Sequence, residues 1–148
     1  MGSKISNKGK SIKGKFIAIP AVVYNHDDFK SLSTRALKLL IDLLIQYNGH
    51  NNGDLCAAMS LMKKRGWKSN DQRNKALKEL IDKEIITLTR QGGKKIASLY
   101  AVTWHSIDEC KGKLDILSTT KAYRDFTKNK FTEPHGGLKL TNMDHMAV

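Results

Sequence analysis

Between Trp67 and Trp104 the hydrophobic pattern changes from a helical period to a strand period. Four apolar residues in the first part fall on one helical face: Ala76, Leu77, Leu80 and Ile81. After Glu84, residues 85–90 and 96–104 are two β-prone runs separated by a Gly-containing loop. This stretch therefore predicts an amphipathic helix followed at once by a β-hairpin.

Local chemistry supports both elements. Ser69 is a favourable N-cap, because its hydroxyl can accept from a backbone N–H that a helix start leaves unpaired. Asp71 adds negative charge in the first turn, where the helix dipole favours it. In the loop, Gly92 and Gly93 predict a tight turn with positive φ values.

Two further helices are predicted before this stretch. The first begins at Ser33, runs to about Tyr47 and is apolar nearly all round. A short extended piece, 54–56, precedes the second helix, which covers 57–65. Because Gly66 ends that helix just before the next, the pattern is typical of a helix-turn-helix. The sequence thus predicts an α+β winged helix-turn-helix with a three-helix core and a C-terminal β-hairpin wing.

The chain is expected to have three parts. Residues 1–15 contain five lysines and no acid, which predicts a flexible basic arm. The domain is expected over residues 16–117, with residues 16–24 as an extended or edge segment that Pro20 interrupts. Residues 118–148 are predicted to form a polar, largely disordered tail.

The charge indicates a polyanionic partner. Lys and Arg total 26 against 14 Asp and Glu, a net charge of +12. Nucleic acid ranks ahead of an anionic membrane surface as that partner. A basic protein without such a partner is the plainer alternative.

The exposed side of the third helix, the expected recognition helix, carries the candidate base-reading residues. Asn and Gln can pair bidentately with adenine, and Lys can reach guanine or phosphate. The acids from Glu79 to Glu84 indicate that only the N-terminal half approaches DNA. The alternative is an ordinary solvated face. The candidates are Lys68, Ser69, Asn70, Gln72, Arg73, Asn74, Lys75 and Lys78.

Arg73 does not fit the pattern, since it projects near the middle of the apolar face. An unpaired buried guanidinium would be costly. It is expected either to extend outward to a phosphate or to pair with an acid such as Asp54 or Asp71. At the hairpin, basic and amide residues can reach phosphates or the minor groove, a plain surface hairpin being the alternative. These wing candidates are Arg90, Gln91, Lys94 and Lys95.

Other classes have little support. The five histidines are scattered, and no nucleophile-base pattern, phosphate loop or four-ligand zinc spacing is present, so no enzyme, cofactor or metal is expected. His26 beside two acids is read as a solvated turn in preference to a metal site. Cys56 and Cys110 lack CxxC spacing, which favours a reducing cytoplasmic setting. No apolar run has the length of a membrane span.

Several motifs resemble those of small bacterial and prophage-encoded winged helix-turn-helix proteins of mobile elements. The matching segments lie within residues 16–115: 32–33, 47–55, 64–67, 90–93, 99–104, 107–110 and 112–115. The resemblance implies a winged-helix fold and DNA binding in phage gene control or replication, without an enzymatic activity. Arg73 stands where this group tends to have an apolar residue.

The expected function is sequence-specific binding of double-stranded DNA, as a phage or mobile-element transcription regulator. One alternative is a replication or recombination accessory protein whose tail recruits a partner. Another is a protein-interaction module that binds an acidic partner. A homodimer is expected, because such regulators usually bind two half-sites and the first helix has apolar surface to spare.

Overall fold

The computed structural model describes residues 12–128, which form an α+β domain with a small antiparallel sheet. The predictions for residues 1–11 of the basic arm and for the tail beyond residue 128 concern parts of the chain outside the described residues. The elements follow in the order α1 (Ala21–Tyr24), α2 (Asp27–Lys30), α3 (Thr34–Leu44), β1 (Leu55–Cys56), α4 (Met59–Met62), α5 (Asn70–Asp82), β2 (Ile86–Arg90) and β3 (Leu99–Val102).

Helix α3 is central to the core. Ser33 caps it as expected, its Oγ accepting from the N–H of Ala36 at 3.1 Å. The helix ends at Leu44, three residues before the predicted end at Tyr47. Most of its apolar side chains are buried within the domain. They therefore leave less free surface for a second subunit than the sequence indicates. The buried apolar residues are Ala36, Leu39, Leu40, Leu43 and Leu44.

The three strands form one sheet in the order β1-β3-β2. The hairpin β2–β3 pairs Ile86 with Val102 and Leu88 with Tyr100, with a register shift before Arg90. Helix α5 packs against α3 and leads directly into β2. Both strands of the hairpin are almost wholly buried. The predicted order of the central helices and the hairpin is confirmed.

The end of the hairpin differs from the expectation. The second strand covers only Leu99–Val102, instead of residues 96–104, so the loop runs from 91 to 98. Neither Gly92 nor Gly93 adopts a positive φ, and the predicted tight turn is wrong. Gly92 is needed for a different reason: a Cβ there would lie 2.5 Å from the backbone nitrogen of Ser98.

The segment after Pro20 is helical rather than extended. Pro20 occupies the N-cap of α1 with φ −60° and ψ 144°, a conformation that its ring favours. Val23 is the residue of α1 that reaches the core. The predicted solvated turn at His26 is also wrong, because its Nδ1 accepts from the N–H of Asp28 at 3.0 Å and so caps α2.

The packed region extends past the expected boundary at residue 117. The N–H of Arg124 donates to Thr103 at 2.8 Å, and both Arg124 and Phe126 are buried. The Arg124 guanidinium donates to Asp28 at 2.6 Å and to the carbonyl oxygen of Lys83, at the end of α5, at 2.9 Å. Segment 118–128 thereby joins α2 to the C-terminal end of α5.

Candidate nucleic-acid interface

Helix α5 presents one face to the core and its opposite face to solvent. As predicted, Ser69 is its N-cap, with Oγ accepting from the N–H of Gln72 at 3.2 Å. The predicted apolar face is also confirmed, because all four of its members are buried: Ala76, Leu77, Leu80 and Ile81. The buried face therefore fixes α5 to the core and leaves the N-terminal end of the helix at the surface.

The turn before α5 is basic and exposed. The predicted second helix is shorter, since α4 ends at Met62 and a 3-10 turn covers Lys63–Arg65. Gly66 then reverses the chain with φ 100°, as a helix C-terminus requires. Four basic side chains are exposed around this turn, and none makes an ion pair with residues 12–128. We call them the basic turn: Lys63, Lys64, Arg65 and Lys68.

Trp67 fixes this turn against α3. Its ring is buried, and its indole Nε1 donates to Oδ2 of Asp42 at 2.7 Å. The same carboxylate oxygen accepts from Nζ of Lys38 at 2.6 Å, and Lys38 also donates to the carbonyl oxygen of Arg65 at 3.0 Å. The basic turn is therefore attached to the central helix through one buried carboxylate.

Glu79 joins α5 to the start of α3. Its two carboxylate oxygens accept from the N–H of Ser33 at 2.6 Å and from the Ser33 hydroxyl at 2.7 Å. The helical period of the sequence predicts Glu79 on or beside the exposed side of α5, whereas the structure has it half-buried between two helices. This position is explained by a contact that is distant in sequence, because a carboxylate can satisfy unpaired donors at the start of a neighbouring helix.

The exposed face of α5 is electrically balanced. Lys75 pairs with Asp71 at 3.0 Å, and Lys78 pairs with Asp82 at 3.3 Å. Both are solvent-exposed i,i+4 pairs, which contribute only about 0.3–0.5 kcal/mol. The two lysines therefore remain available to phosphates at small cost. In contrast to the basic turn, they add no net charge to this face.

Arg73 contacts groups other than the two acids expected from the sequence. Its Nη1 donates to the carbonyl oxygen of Ala57 at 2.6 Å, and its Nε donates to Oδ1 of Asn74 at 3.1 Å. It pairs with neither Asp54 nor Asp71 within the described residues. Arg73 therefore lies at the junction of α5 with the segment before α4, and its role as a DNA contact stays a prediction.

The amide residues near the start of α5 have different surroundings. Asn70 is exposed, and Gln72 is exposed but accepts from Nη1 of Arg35 at 3.1 Å. Asn74 is only partly exposed, and its oxygen is engaged by Arg73. Asn70 is thus the candidate amide whose side chain has no bond to another described residue.

The hairpin candidates divide into two groups. Arg90 donates from Nε and Nη2 to the carbonyl oxygen of Ala97 at 3.2 and 2.8 Å, so its guanidinium bridges the two sides of the hairpin. Gln91 is exposed, although its backbone N–H donates to Asp115 at 2.8 Å. Lys94 and Lys95 are exposed and make no ion pair with the described part of the chain.

Lys63, Lys64 and Arg65 were absent from the sequence-based site. Three consecutive cations beside a predicted turn are nevertheless visible in the sequence. The structure brings them together with Lys68 at the end of α5 that carries Ser69.

The titratable groups with shifted pKa values are not among the candidate nucleic-acid-binding residues. Burial raises the pKa of the Cys110 thiol to about 11, so little of it is in the nucleophilic thiolate form near neutral pH. Burial also lowers the pKa of His105, with a smaller opposing effect of Asp108. Among residues 12–128, no three His, Cys, Asp or Glu side chains are grouped to bind a metal. No helix in the same range is long and apolar enough to cross a membrane.

Comparisons with protein-family models, with curated proteins and with solved structures found no match.

Proposed function

We propose that residues 12–128 form a winged helix-turn-helix that binds double-stranded DNA in a sequence-specific manner. The order of elements supports the assignment: α3, β1, α4, α5 and the hairpin follow in turn, with β1 added beside β3. In this arrangement α4 and α5 are the helix-turn-helix and the hairpin β2–β3 is the wing. Helix α5 is the element that would enter the major groove.

The observation that carries the proposal is the position of six exposed cations that make no ion pair with the described residues. The basic turn adjoins the N-terminal end of α5, and Lys94 and Lys95 lie in the wing loop, whereas the exposed face of α5 is neutral. Phosphate contacts position a protein on DNA, and base edges are read between them. The basic turn and the wing would hold the backbone while α5 faces the bases.

The roles within α5 follow from its contacts. Asn70 reads a base edge, since its amide has no other bond among the described residues. Gln72 can do so after releasing Arg35. Lys75 and Lys78 exchange their exposed Asp partners for phosphates, while Arg73 keeps the helix in place.

The assignment to a phage or mobile-element transcription regulator rests on the sequence resemblance. Dimer formation belongs to the same proposal. Among the apolar residues of α3, Leu37 is 37 % exposed and Ile41 is partly exposed. Selection of bound duplexes from a random pool would give both the target motif and any spacing between half-sites, which a dimer requires.

The test is duplex binding across a salt series. If the six cations of the basic turn and wing loop each neutralise one phosphate, affinity falls by about a thousandfold between 50 and 200 mM salt. Lys64→Ala and Lys68→Ala should each reduce the slope of log affinity against log salt by about 0.9. An absence of binding to any duplex, including its own upstream region, would contradict the proposal.

Lys30→Ala is the matched control. Lys30 is an exposed lysine on α2 and makes no ion pair with the described residues. Its neighbour Ser31 accepts from Nζ of Lys83, so Lys30 lies near the C-terminal end of α5. That end is about 20 Å from Ser69 along the 13-residue helix. The control should leave the salt slope unchanged, and an equal effect of all three variants would indicate nonspecific attraction by net charge.

A further inference from the structure

The wing loop carries an exposed apolar side chain beside its two lysines. Ile96 is 55 % exposed, and Lys94 and Lys95 precede it directly. Lysines account for attraction to phosphates, but a branched apolar side chain does not. Ile96 is therefore the residue of the loop that electrostatic binding leaves unexplained.

The backbone beneath Ile96 is held in place. Its carbonyl oxygen accepts from the N–H of Gly93 at 2.8 Å, and the Arg90 guanidinium holds the next carbonyl, that of Ala97. The N–H of Gly92 donates to Oγ of Ser98 at 2.8 Å. Ile96 thus projects from a loop with a defined conformation, which reduces the ordering cost of inserting it into a partner.

No contact within the described residues requires a glycine at position 93. A Cβ at Gly93 would meet nothing within 4 Å, and its φ lies outside the left-handed region. Gly92, by contrast, is required by the close approach of Ser98 and Ile96. A bare backbone at Gly93 lets the loop come close to an external surface, such as the walls of a minor groove about 6 Å wide.

We infer that Ile96 inserts between base pairs from the minor groove and bends the duplex, which presupposes the DNA binding proposed above. Apolar side chains of this kind act as wedges that unstack a base step and kink DNA by about 20–90°. Lys94 and Lys95, which directly precede Ile96, hold phosphates next to the wedge. Flexible pyrimidine–purine steps such as TpA are the preferred place of insertion, because they unstack most easily.

The experiment measures bending separately from binding. The duplex most enriched from a random pool is labelled with a donor and an acceptor dye at its two ends, and energy transfer is read at saturating protein. Wild type and Ile96→Leu, which keeps an apolar wedge, should bend the duplex by at least about 20°. Ile96→Ser should bind with a lower affinity and leave the duplex nearly straight. Replacing a central TpA step by GpC should weaken wild-type binding more than Ile96→Ser binding.

Gly93→Ala and Lys95→Ala complete the design. Gly93→Ala should weaken binding without lowering the Tm, because the added methyl is accommodated by the domain and meets only DNA. Lys95→Ala should reduce the salt slope by about 0.9 and retain the bend. Equal bending by wild type and Ile96→Ser, or binding by wild type without any bend, would overturn the inference while DNA binding stands. Failure of wild type to bind any duplex would overturn both proposals.

Discussion

The indole of Trp67 and the carboxylate of Asp42 connect the basic turn to the central helix through a hydrogen bond of 2.7 Å. Both side chains are buried, and Lys38 neutralises the carboxylate at 2.6 Å. A buried carboxylate without its donors would be costly. This pair therefore contributes both to stability and to the position of the cations that we propose contact phosphates.

Trp67→Phe should lower the free energy of unfolding by about 2 kcal/mol through the lost hydrogen bond to a charged acceptor, in addition to the effect of the smaller ring. Trp104→Phe is the matched control, because Trp104 is buried to the same extent and its Nε1 has no hydrogen-bond partner among the described residues. Urea unfolding of both variants separates the two contributions. Equal losses would show that the bond to Asp42 adds nothing measurable.

Asn52 connects the loop after α3 to the end of the sheet. The side chain is fully buried, and its Oδ1 accepts from the N–H of Val102 at 2.9 Å. Its Nδ2 donates to the carbonyl oxygens of Val102 and Ser106 at 3.0 and 2.9 Å. Both polar atoms of this amide have backbone partners. Truncation of the Asn52 side chain would leave those backbone groups unpaired.

Asn52→Ala is therefore expected to cost about 3 kcal/mol or more, since several buried backbone groups lose their partner together. The unfolding midpoint in urea is the measurement. Asn25→Ala, at an exposed position whose side chain has no bond to another described residue, should change it by less than about 0.5 kcal/mol. A loss below about 1 kcal/mol for Asn52→Ala would mean that water replaces the amide.

The parts of the fold that were predicted depend on local signals. Ser69 as a cap and the buried face of α5 follow from residues within one helix. Arg124, Glu79 and Arg73 could not be placed in this way, because their partners are 40 or more, 46 and 16 residues distant in sequence. From the sequence, polar side chains that follow no periodic pattern are interpreted as solvated surface. Their partners are distant in sequence and come into contact with them only in the folded chain.

Glu84 adopts an unfavourable backbone conformation after α5. Its φ of 56° lies in the left-handed region, where a side chain costs about 1–2 kcal/mol. The backbone bonds from Glu84 to Ile81 and from Ile85 to Leu80 close the end of the helix in the way that glycine usually allows. Glu84→Gly should therefore raise the stability by about 1 kcal/mol.

Thermal unfolding with Glu84→Ala as the control tests this explanation. Glu84→Ala removes the same charge but keeps a Cβ at the strained position, so its Tm should stay close to that of the wild type. The glycine variant should unfold at a Tm higher by several degrees, given the scale of about 4–8 °C per kcal/mol for small domains. A similar gain in both variants would assign the effect to charge instead of backbone strain.

His105 should make the domain less stable in mild acid. Its ring stacks on Tyr47 at 4.9 Å between centroids, and burial lowers its pKa below the ordinary value of 6.5. The unfolded chain then binds a proton at a higher pH than the folded chain does, so stability falls as the pH drops below about 6.5 and is unaffected above it. His105→Gln should reduce this fall when urea midpoints at pH 7.5 and 5.5 are compared with those of the wild type. The loss of stability that remains in the variant is due to the other titrating groups. An unchanged pH dependence would show that His105 has the same pKa in the folded and the unfolded chain.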